Sequence, residues 1–65
     1  MTRTRYEVLM ARYRVMMTES GAMPKDITDA ELDSWLVGQT HEERMKSLEG
    51  LTSLVPERFW RKRGL

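Results

Sequence analysis

Three observations predict an all-α fold. Apolar residues recur at helical spacing, capping signals stand where helices would begin, and no stretch alternates apolar and polar residues as a strand does. The expected architecture is a single domain over residues 1–65, a small three- to four-helix protein with one long central helix and a short C-terminal helix.

The first element is read over residues 3–18. Tyr6, Leu9, Met10, Tyr13, Met16 and Met17 recur as one apolar stripe, and Thr2 or Thr4 can cap its start. The stretch "TESGAMPKD" then breaks the chain, because Gly21 suits a helix C-terminus and Pro24 cannot continue a helix. In "ITDAEL", Thr28 is an N-cap with Glu31 three residues on, a capping box, and Ile27 and Leu32 form a hydrophobic staple around it. From that start the apolar positions Leu32, Trp35, Leu36, Met45, Leu48, Leu51 and Val55 continue a helical stripe. Gly38 followed by Thr40 and Glu43 offers a second helix start. A glycine costs a helix only about 1 kcal/mol, however, so one helix over 28–51, bent if anything, is the expectation. Pro56 opens a last helix over 56–62. Leu9, Tyr13, Leu32, Trp35, Leu36, Leu48, Leu51 and Trp60 are the expected core.

At 65 residues without cysteine, the chain has no disulfide to staple a small core, and its lone histidine, His41, leaves no nitrogen-rich metal site. Association, with itself as a homo-oligomer or with a partner, is expected to supply the missing stability. No apolar run approaches the roughly 18 to 20 residues of a membrane span, and arginines interrupt any signal-peptide core, so a cytoplasmic protein without membrane contact is expected. No nucleophile–histidine arrangement, glycine-rich phosphate loop or metal-ligand spacing occurs, so neither enzymatic activity nor a cofactor is expected.

Charge is distributed unevenly. Residues 1–14 hold Arg3, Arg5, Arg12 and Arg14 against Glu7, a balance of +3. Residues 15–57 hold nine acids against Lys25, Arg44 and Lys46, a balance of −6, and residues 58–63 add Arg58, Arg61, Lys62 and Arg63. Such asymmetry bears on partners. The terminal cations suit either a phosphate backbone or a solubilising tail, and the N-terminal arginines could join them if the ends meet. A helix-turn-helix can be drawn from residues 28–37 and 41–49. Its second helix, "HEERMKSLE", would enter the groove leading with two glutamates, which phosphates repel. His41 reads as a surface or half-buried polar group, with a pH-sensitive contact as the sharper alternative. The methionines read as core filling, with Met10, Met16 and Met17 the candidates for a partner groove.

From Asp26 to Arg61 the chain resembles the Hha/YmoA family of small nucleoid-associated modulators. The residues that carry the resemblance are "DITDAEL", Trp35, His41, Leu51 and "VPERFWR", with "TRTRY" similar to the family's opening. The stretch before Asp26 is shorter than the family's, and Thr40 stands where the family has an aspartate. The resemblance implies a helical adaptor that binds an H-NS-type nucleoid protein through charge complementarity, meets DNA only through that partner, and is nucleoid-associated. On that reading Asp29, Glu31, Asp33, His41 and Glu42 are the partner-binding candidates. Arg12, Arg14, Arg58, Arg61, Lys62 and Arg63 would be the cations facing DNA. Two other readings stand beside it: a phage or mobile-element protein that blocks a host enzyme through the acidic middle, and an autonomous helix-turn-helix protein.

Overall fold

The computed structural model describes residues 3–65 and is all-α there: α1 spans Arg5–Glu19, α2 Asp29–Ser34, α3 His41–Thr52 and α4 Glu57–Lys62. The long helix is α1, which packs most extensively against α3, and the short C-terminal helix is α4. Thr4 caps α1 by accepting from the Glu7 backbone N–H at 3.2 Å; Thr2, the other candidate cap, lies outside the described residues.

The single helix expected over 28–51 is divided. It ends at Ser34, with Trp35 as C-cap, and restarts at His41. Two features outweigh the small cost of a glycine in a helix. Gly38 sits at φ 124°, and a Cβ there would lie 2.8 Å from the Glu43 Cβ, so the backbone passes too close to α3 for any other side chain. Thr40 and Glu43 then form a complete capping box, which satisfies orphan N–H groups that a continuous helix would not have. At Thr28 only half a box forms, because the Glu31 carboxylate accepts the Thr28 hydroxyl at 3.0 Å instead of its backbone N–H.

Six of the eight expected core residues are buried: Leu9, Tyr13, Leu32, Leu36, Leu48 and Trp60. Met23 and Ile27, from the connection after α1, join the first five of these in the main cluster, Tyr6, Met10, Met16, Met17 and Met45 pack on its edge, and Trp60 lies outside it against Arg12 and Phe59. Two expectations are overturned. Trp35 is 66% exposed and Leu51 39% exposed. Trp35 follows the end of α2, so the helical spacing that predicted its burial no longer applies to it.

Candidate partner interface and the basic helix

Asp29 and Glu31 lie in the first turn of α2 and Glu42 in that of α3, whereas Asp33 lies near the C-terminal end of α2. Asp33 is half-buried and accepts from the Tyr6 hydroxyl at 3.0 Å and from Arg44 Nη1 at 2.8 Å. Arg44 also donates through Nε to the Gly38 carbonyl at 3.2 Å, which ties the α2–α3 turn to α3. His41 is exposed and stacks on Tyr6 with ring centroids 4.9 Å apart at 36°. Tyr6, Asp33, His41 and Arg44 thus form one polar cluster. Burial first, then the hydrogen bond to Asp33 and its negative charge, push the Tyr6 phenol above its ordinary pKa. Asp29 is exposed and pairs with Arg14, and Glu31 is exposed beside Thr28. Glu42 lies exposed in the first turn of α3. Glu43 caps the same helix, and its carboxyl is held below its ordinary value of 4.5 by the Thr40 hydroxyl, then by the Thr40 and Gln39 backbone N–H groups.

Between α1 and α2 lies a groove of about 500 Å³. Met10, Ala11, Ala30 and Leu32 supply its apolar lining, and Glu7, Asp29 and Asp33 its carboxylates, with Arg14 among them. Of the three methionines expected at such a groove, Met10 lines it, whereas Met16 and Met17 pack on the core.

The six cations expected to face DNA divide into four kinds. Arg12 does not face solvent: it is 7% exposed, a correction to the reading of the N-terminal arginines. Its Nε and Nη2 donate to the Leu65 carbonyl at 3.0 and 2.6 Å, and Nη2 also donates to Glu57 at 3.1 Å. Its guanidinium carbon lies 5.6 Å from the centre of the buried Trp60 ring. An arginine so satisfied can be buried, because its donors and positive charge all meet partners. Arg14 turns to the α2 side, donating to the Ile27 carbonyl at 2.6 Å and pairing with Asp29, so it belongs with the acidic region. Arg63 pairs with Glu19 at the end of α1 and lies 4.4 Å over the Phe59 ring. Arg58, Arg61 and Lys62 remain exposed and without an ion pair among the described residues. Their i, i+3, i+4 spacing places them on one face of α4.

Trp60 fixes that helix. Its ring is fully buried, its Nε1 donates to the Thr52 carbonyl at 3.3 Å, and Phe59 meets it edge-on at 5.0 Å. Gly64, at φ 74°, lets the chain turn so that the Leu65 N–H reaches the Trp60 carbonyl at 2.8 Å and the Leu65 carbonyl reaches Arg12. Arg12 and Arg14 are two residues apart on α1, about 200° around the helix. The α4 side and the α2 side of α1 are therefore opposite flanks. Sequence reading missed all four ion pairs of the described residues, Arg12–Glu57, Arg14–Asp29, Asp33–Arg44 and Arg63–Glu19. Arg14–Asp29 and Asp33–Arg44 join neighbouring elements, and no local spacing announces the other two.

No protein-family model, curated protein or solved structure matches this chain. Among the described residues no helix is long and apolar enough to cross a membrane.

Proposed function

We propose that this chain is a non-enzymatic regulator of gene expression, an Hha-like adaptor that binds an H-NS-type nucleoid protein and adds positive charge beside DNA held by that partner. The observation that carries the reading is the separation of charge across α1. Three cations without an ion pair among the described residues, Arg58, Arg61 and Lys62, share a face of α4 on one flank. Asp29, Asp33 and the α1–α2 groove occupy the other flank, with Glu31, His41 and Glu42 at the neighbouring helix starts. A protein so built can hold a basic partner on one side while presenting cations to phosphate on the other.

Capture from host lysate on the immobilised full chain tests the partner. Recovery of an H-NS-type protein supports the reading, and recovery of no nucleoid protein sinks it. Mobility shifts then test the role. The adaptor should strengthen a partner–DNA complex while giving no shift alone at low salt. A shift by the purified chain alone would favour autonomous DNA binding. Recovery of an enzyme whose activity the chain blocks, with no effect on any protein–DNA complex, would favour the inhibitor reading.

A further inference from the structure

We draw no further inference here: the strongest candidate, the groove between α1 and α2 with its apolar lining of Met10, Ala11, Ala30 and Leu32, belongs to the partner site already described, and its Asp29 and Asp33 already pair with Arg14 and Arg44.

Discussion

Removing the Arg12 guanidinium would leave the Leu65 carbonyl and the Glu57 carboxylate without their donor, beside a fully buried indole. Arg12→Met keeps most of the apolar stem and removes the donors, so urea denaturation should report a loss of about 1–3 kcal/mol. Arg12→Lys should recover only part of it, since an ammonium cannot span two acceptors as a planar fork does. Full stability in Arg12→Met would show that the buried guanidinium adds nothing. The two tryptophans differ more sharply. Trp60→Ala should cost about 3–5 kcal/mol, enough to unfold a domain of this size. Trp35→Ala in dilute solution should fall within about 0.5 kcal/mol of wild type. Both residues are expected in the core, Trp35 from helical spacing and Trp60 from an aromatic pair that can fold back on it, and only Trp60 goes there. Trp60 lies inside α4 and donates to the Thr52 carbonyl; Trp35 is the residue on which α2 stops, and a C-cap is not bound by the stripe of the helix it closes. Arg12 departs from expectation for a related reason: charge type alone does not reveal that a carbonyl and a carboxylate far along the chain will meet it.

Gly38 decides how the elements divide. Because its φ is 124° and its Cβ position is occupied, Gly38→Ala should destabilise the fold by about 1–3 kcal/mol in urea denaturation and should not fuse α2 to α3. A gain in helix content at equal stability would mean that the continuous helix lies close in energy to the broken one. The start of α3 also carries a pH dependence. The folded state holds the Glu43 carboxyl below 4.5, so the unfolded chain takes up its proton more readily. The stability this adds is present above the ordinary carboxylate range and is lost as pH falls through the folded-state value. Glu43→Gln keeps a capping side chain without a titrating group, so its melting temperature should fall less steeply in acid than that of wild type. Parallel acid limbs for the two proteins would show that Glu43 adds no pH dependence. Both helix starts were legible in the sequence, because caps are local chemistry. The break itself was offered by Gly38 but set against a small glycine cost, because the close approach of Gly38 to Glu43 that decides it arises only when the turn folds back on α3.

At the scale of the whole molecule, α4 is attached to α1 by Arg12–Glu57 and Arg63–Glu19 and anchored through Trp60, while Arg58, Arg61 and Lys62 take no part in that attachment. The all-α class and most of the core could be read from spacing. The separation of acidic and basic flanks across α1 could not, since it depends on which side of α1 each short helix settles. That separation sets the final prediction. Replacing Arg58, Arg61 and Lys62 together with Gln should leave the melting temperature nearly unchanged, because exposed charges contribute little to stability. If the adaptor reading holds, partner binding should also persist, since it uses the opposite flank. What should weaken is the ternary complex with DNA. Its dependence on salt should become shallower by up to roughly 0.9 in logarithmic slope for each phosphate that is no longer neutralised. Arg63→Gln is the contrasting variant: it breaks the Glu19 pair and the stacking over Phe59, so it should loosen α4 and lower stability before any effect on DNA is seen. The two substitutions therefore separate the cations that hold the helix from those that are free to meet a ligand. Should the triple variant assemble on DNA with full strength and an unchanged salt slope, the α4 face would be no more than a solvated fringe, and the charge separation across α1 would lose its functional meaning.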